Sequence, residues 1–332
     1  MLNKTVVRKL VVAAIVAQIA VLLFMASKRE TIIATGEEIY LRSAPIDPRD
    51  PFRGDFVRLS YELNRIPNQY YQGEKELASL HRDTVLYTVL QHEENNVYRL
   101  NYFTETKPHN AIYIKGRLNN RRQFQSVSKQ FTNIKYGIEQ YYVQQGKSLE
   151  MEKRMGNRGT LQIPLEMQVA IGSDGTPVIK GHRWSQLGMQ LEFVRSTNPR
   201  RSEGQAPISP IINMTLANVS NQPLNIANNA ENCAFSLILV DNDHYEENVD
   251  SGCSRSNAEN FEAIHLQPGE EYSVELDFSL PRWHVDFEGM RVEVGAIEDW
   301  RRYRLRYRPA ITEGLWLGTL DSPLFNTNGR TD

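Results

Sequence analysis

Ser43 and Lys115 are the two residues with which this chain could break a bond. A serine hydroxyl needs a base, and a lysine amine can serve only when neutral, which requires a largely apolar setting that lowers its pKa. Lys115 stands between Ile114 and Gly116, a context that permits burial without requiring it. A turn serine and a solvated strand lysine account for both residues more simply, so no catalytic residue is assigned.

Other groups have the chemistry to bind. Arg301 to Arg308 alternates so that, as a strand, it puts Arg302, Arg304, Arg306 and Arg308 on one face and Tyr303, Leu305 and Tyr307 behind. Four cations in register repel one another. Docking on anionic lipid, glycan or an acidic partner would relieve the repulsion, and so would Glu298, Asp299 or an acidic neighbouring strand. Asp47, Asp50 and Asp55 could gather round a hard cation. However, Arg49 and Arg53 stand among them, and ion pairs plus turn-forming aspartates explain all five. The acidic run Asp241 to Glu247 fails the EF-hand pattern, and the seven histidines have no metal-ligand spacing. No metal and no cofactor is expected. Cys233 and Cys253 cannot complete a zinc site alone and are not a C-x-x-C pair. An oxidising compartment permits them to pair, which would close a short loop and add roughly 3 kcal/mol in the chain-entropy model.

The elements that must carry these residues begin with a membrane anchor. Leu10 to Ala26 is uncharged and spans roughly 25 Å as a helix. Lys4, Arg8 and Lys9 precede it, which places residues 1–9 in the cytoplasm and everything after about residue 30 outside it. A cleaved signal peptide is the rival reading, but Phe24 or Met25 would occupy the -3 position, where a small residue belongs. The first thirty residues carry a net +4 of a total of -2, so the remainder is at -6, which disfavours nucleic acid as a partner.

Strand patterns fill the rest of the chain. Glu38 to Arg42 is a first strand, and the turn Ile46 to Asp55, with Pro48, Pro51 and the pair Gly54-Asp55, feeds a second. There Val57, Leu59, Tyr61 and Leu63 fall on a core face and Phe56 on the opposite, polar face. Further strands are read at 84–90, 97–103 and 111–118, with a short helix over 74–81. Ile163 to Ile171 and Pro177 to Lys180 form a hairpin about Ser173-Asp174-Gly175. Beyond a boundary near Gly188, short strands recur at 189–195, 211–218, 233–240, 270–278 and 291–297, with turns like those of an immunoglobulin-like sandwich.

Gly54, Asp55, Phe56, Leu59 and Tyr61 together resemble the signature of the GDYXXLXY family, and Tyr136-Gly137-Ile138-Glu139 resembles a second block of it. The resemblance covers about residues 1–187. It implies a membrane-anchored bacterial protein with a membrane-embedded, polytopic partner, and it implies no reaction. Phe56 stands where the family pattern has tyrosine, so that phenol is not essential chemistry in this chain. An anchor followed by Ser43, a Gly-Asp turn and a lysine strand is also distantly similar to membrane signal peptidases, which use a Ser-Lys dyad. Their Ser-Met pattern is absent here, because Ala44-Pro45 follows the serine.

The fold expected is mostly β: an N-terminal transmembrane helix at 10–26, a family β domain with short helices at 31–187, an immunoglobulin-like β-sandwich at 188–320 and a tail at 321–332. The function expected is a non-catalytic binding or assembly protein on the extracytoplasmic side of the membrane. Arg302, Arg304, Arg306, Arg308 and Phe56 are its candidate contact residues. The alternatives are a Ser-Lys hydrolase, or lipid or glycan binding through the arginine strand.

Overall fold

The computed structural model describes residues 4–46, 56–119, 131–144, 147–156, 160–197, 208–240, 246–250, 252–253, 261–287, 289–297, 301–309, 314–316 and 318–327. It opens on helix α1 (Lys4–Thr35). Among the described residues, Arg8–Thr35 is the one stretch of helix long and apolar enough to cross a membrane. The helix runs past the apolar segment and past Thr31, where the sequence pattern turns toward strand. Two causes extend it. Lys28, Arg29 and Glu30 are good helix formers, and Ile32 is buried against Ala170 and Val178 of the following domain. The Thr31 and Thr35 hydroxyls donate to carbonyls one turn back. Gly36 then ends the helix, its N–H donating to the Ile32 carbonyl at 2.8 Å. A Cβ on Gly36 would lie 2.5 Å from the Ile32 oxygen and 2.8 Å from the Ile171 oxygen, so only glycine allows the helix to seat this closely.

The next domain is two five-stranded antiparallel sheets. Its strands are β1 (Glu37–Ile46), β2 (Phe56–Tyr61), β3 (Arg65–Pro67), β4 (Val85–His92), β5 (Tyr98–Thr104), β6 (Tyr113–Leu118), β7 (Phe131–Lys135), β8 (Gln140–Tyr142), β9 (Leu165–Ile171) and β10 (Pro177–Trp184), with helix α2 (Lys147–Met155) between β8 and β9. One sheet has the order β10-β9-β1-β2-β8 and the other β3-β7-β6-β4-β5. Alternation along the strands turns Ile39, Leu41, Leu59 and Tyr61 of the first onto Leu86, Phe103, Ile114 and Ile134 of the second. Met151 and Met155 of α2 close the same core. The helix read at 74–81 shrinks to a single 3-10 turn, Leu77–Ser79.

A second core begins at Leu187. Its strands are β11 (Leu187–Arg195), β12 (Ile211–Asn218), β13 (Leu224–Asn228), β14 (Phe235–Val240), β15 (Glu246–Asn248), β16 (Glu262–Leu266), β17 (Glu271–Asp277), β18 (Val285–Phe287), β19 (Met290–Val292), β20 (Arg302–Tyr307) and β21 (Leu320–Asp321). Sheets β11-β12-β17 and β15-β14-β20-β21, with the two-stranded pairs β13-β16 and β18-β19, enclose Phe235, Phe278, Trp283 and Tyr303. The strand expected at 291–297 is only the end of β19 followed by a 3-10 turn, Val294–Ala296. Gly295 lies there against the Ile208 carbonyl, where a side chain would not fit. Within the residues expected as a tail, Asp321 ends β21 and Phe325, 1% exposed, packs in this core.

Gly36→Val forces a branched side chain between two backbone oxygens and is expected to destabilise the helix–sheet junction by about 1–3 kcal/mol. Thermal unfolding of the detergent-solubilised protein, followed by circular dichroism, measures it. An unchanged midpoint would show that the helix end does not seat on the domain.

Candidate functional site

The signature strand and the Tyr136–Glu139 block are one structure. The main-chain N–H of Tyr61 donates to the Asn64 side-chain oxygen at 2.9 Å. Asn64 in turn donates through Nδ2 to the Ile134 carbonyl at 3.1 Å and to Glu139 Oε1 at 3.2 Å. The Glu139 carboxylate also accepts the N–H groups of Tyr136 at 2.6 Å and Gly137 at 3.0 Å. That geometry requires the left-handed backbone of Gly137, with φ +84°. The Tyr61 hydroxyl donates to the Ile138 carbonyl at 3.1 Å. The Tyr136 hydroxyl donates to the Leu63 carbonyl at 2.8 Å and so receives the proton of Thr88 Oγ1 at 2.7 Å. Burial, with the nearby Glu139 charge, raises the pKa of both phenols well above the usual tyrosine range. They are neutral hydrogen-bond donors, not bases.

A cleft of about 300 Å³ lies where the two cores meet, lined by Arg42, Glu166, Arg183, Trp184, Gln186 and Trp316 among others. Its charges are already matched. Arg183 Nε donates to Glu166 at 2.6 Å, and its guanidinium stacks 3.6 Å above the Tyr40 ring. Arg42 donates to Glu93 at 2.9 Å. Trp184 takes the Arg154 guanidinium 4.7 Å over its ring, and Trp316 stacks on Tyr307. The result is a polar, aromatic crevice at a domain junction, a common place for a ligand site.

Residues 18–181 match the family model described as GDYXXLXY protein. Over that stretch, just under half of the chain, it is similar to the GDYXXLXY family. No curated protein matches the chain, and no solved structure does. The family signature can now be read on the structure. Leu59 and Tyr61 are buried and bonded into the interlock just described, and the Leu59 N–H donates to the Glu139 carbonyl at 3.0 Å. Phe56 opens β2 with its main chain opposite Tyr142. Gly54 and Asp55, with Asp47, Asp50, Asp241, Glu298 and Asp299, lie outside the described residues.

Ser43 and Lys115 are not brought together. Ser43 lies opposite Leu165 at the start of β9, and its hydroxyl donates to the Leu165 carbonyl at 3.4 Å. Lys115 donates its N–H to Gly175 in the turn after β9 and its ammonium to Asp174 at 3.0 Å. Six residues of strand, about 20 Å, separate the two places.

The arginines of β20 alternate outward as the sequence predicts, with Tyr303, Leu305 and Tyr307 buried behind them. Their repulsion is relieved inside the fold. Asp321 of β21 accepts from Arg306 Nε at 2.6 Å and from Arg304 at 3.2 Å. Burial would raise the Asp321 pKa, but Arg306 and Arg304, with Arg42 from the neighbouring domain, hold it down at about 2. Asp321 escapes the sequence reading because it sits in a segment with no strand pattern. Cys233 and Cys253 are joined by a disulfide. Glu231 lies beside them, but sulfurs bonded to each other offer no thiolate to a metal.

Glu139→Gln weakens charge-assisted bonds and is expected to cost about 1.5–3 kcal/mol, while Tyr61→Phe leaves the Ile138 carbonyl unpaired at about 1–3 kcal/mol. Urea midpoints check both, and a neutral result would mean that the signature is not structural. Asp321 has a depressed folded pKa, so its contribution is full above the unfolded value near 3.9 and fades as pH falls toward about 2. Asp321→Asn should therefore cost about 3 kcal/mol at pH 7 and flatten the stability loss between pH 4 and 2. Denaturant titrations at both ends of that range read it.

Proposed function

We propose that this chain is a membrane-anchored binding or assembly protein without catalytic activity, working outside the cytoplasm with a membrane-embedded partner. The observation that carries this reading is the continuity of α1 with the β domain. The helix enters β1 through Gly36 alone and is fastened there by Ile32. A flexible tether would serve a protein that only needs to stay near the membrane. A fixed joint suits one that must present its domains in a set position relative to other membrane components. The cations ahead of the apolar run favour an N-terminus in the cytoplasm. The Cys233–Cys253 bond suits the oxidising side. The aromatic cleft gives such a protein a place to hold a ligand.

The hydrolase alternative draws no support from the separated Ser43 and Lys115. Lipid or glycan binding through β20 draws little, since Asp321 already engages Arg304 and Arg306. A photo-cross-linking residue in place of Val16, activated in native membranes, is expected to give a discrete adduct with an integral membrane protein. Adducts with lipid alone would remove the partner from this proposal.

A further inference from the structure

Lys28 fixes a height. From Leu10 to Ser27 the helix is free of charge and spans about 27 Å, close to the roughly 30 Å hydrocarbon thickness of a bilayer. Lys28 is the first cation after that run, and with Arg29 it must lie at the hydrocarbon edge, where long basic side chains reach into the headgroups. The helix continues from Lys28 to Thr35, rising about 10 Å further before β1 begins.

The β9–β10 hairpin comes back down over that distance. β1 leaves the helix antiparallel to β9, with Glu37 opposite Ile171, so β9 runs toward the membrane and turns at Gly172–Thr176. Asp174 in that turn accepts from Lys28 at 3.1 Å and from Lys115 at 3.0 Å through one oxygen. Gly172 packs against Ile32: a Cβ there would meet its side chain at 3.0 Å. Tyr113 lies across Gly175, and its hydroxyl donates to the Ser173 carbonyl at 3.5 Å. Burial alone would raise the Asp174 pKa, but bonds from Thr176, Lys115 and Lys28 hold it well below the ordinary carboxylate range.

We infer that the Gly172–Thr176 turn, with Tyr113 and Lys115 beside it, rests in the headgroup layer of the membrane that α1 crosses, so that this edge of the β domain is a lipid-facing surface. The turn is held at the level of Lys28, whose height the apolar run sets. Tyrosine and lysine are residues suited to that layer, with apolar bodies and polar ends. The opposite end of β9, with Ser43, α2 and the cleft, stands about 20 Å farther out. The inference rests on the anchor in the proposed function, but not on a partner or ligand.

The test uses the full-length protein in liposomes with an environment-sensitive fluorophore on Ser173→Cys, the native disulfide left oxidised. Lipids carrying a nitroxide on the headgroup are expected to quench this label severalfold more strongly than the same label on Lys153→Cys, exposed on α2 at the far end. Should Ser173→Cys fail to fold, Thr176→Cys in the same turn carries the same expectation. Equal quenching at the near and far positions, or none at the turn, overturns the inference. Alkaline carbonate extraction separates the two levels of argument. Protein released by carbonate ends the anchor, whereas protein retained with an unquenched turn ends only the lipid-facing edge.

Discussion

The carboxylate of Glu139 is the constraint on which the first domain depends. It accepts two main-chain N–H groups of its own turn and the amide of Asn64, and Asn64 ties down the end of β2. Two segments more than seventy positions apart in the chain are thereby set in register. The Tyr61 and Tyr136 hydroxyls then cross in opposite directions, each capping a carbonyl of the other segment. A buried carbonyl or N–H without a partner costs more than the paired one gains. The network therefore works as a unit, joining the sheet that holds β2 to the sheet that holds β7. The family signature marks a fastening between sheets.

The sequence made the local part of this visible and hid the tertiary part. Alternation placed Leu59 and Tyr61 on the core face of β2, and Tyr303, Leu305 and Tyr307 behind the arginines of β20, because a strand's period of two is written in adjacent residues. Nothing in adjacent residues says that Lys115 meets Asp174, or that Asp321 answers Arg304 and Arg306. Those pairings depend on topology. The end of α1 lies beyond the apolar run for a related reason. Thr31, Ile32 and Ile33 favour strand by type, and burial of Ile32 against Ala170 and Val178 overrides that preference. The cleft was the least legible feature. Its lining comes from β1, β9 and β10 of the first domain, from Ser185 and Gln186 that follow β10, and from Trp316 beyond β20.

The two domains differ in what their polar groups do. In the first, Tyr61 and Tyr136 are buried in the core, and the half-buried Asn64 and Glu139 join them at its margin. In the second, the main charge cluster lies at the edge of the sandwich, where Asp321 also feels Arg42 across the junction. The junction is thus lined with matched charges and aromatic rings. Such an interface tolerates water and small adjustments better than an apolar seam, which suits a cleft that opens between domains.

Gly36 leaves no slack between α1 and β1, and this ties the head to the screw of the helix. Each residue of an α-helix advances the chain by 1.5 Å and turns it by about 100°. The compass direction in which the cleft opens, viewed down the bilayer normal, is therefore set by helical phase. The number of residues between the membrane and Gly36 acts as an aiming device: one more or one fewer would change the height little and point the whole head elsewhere.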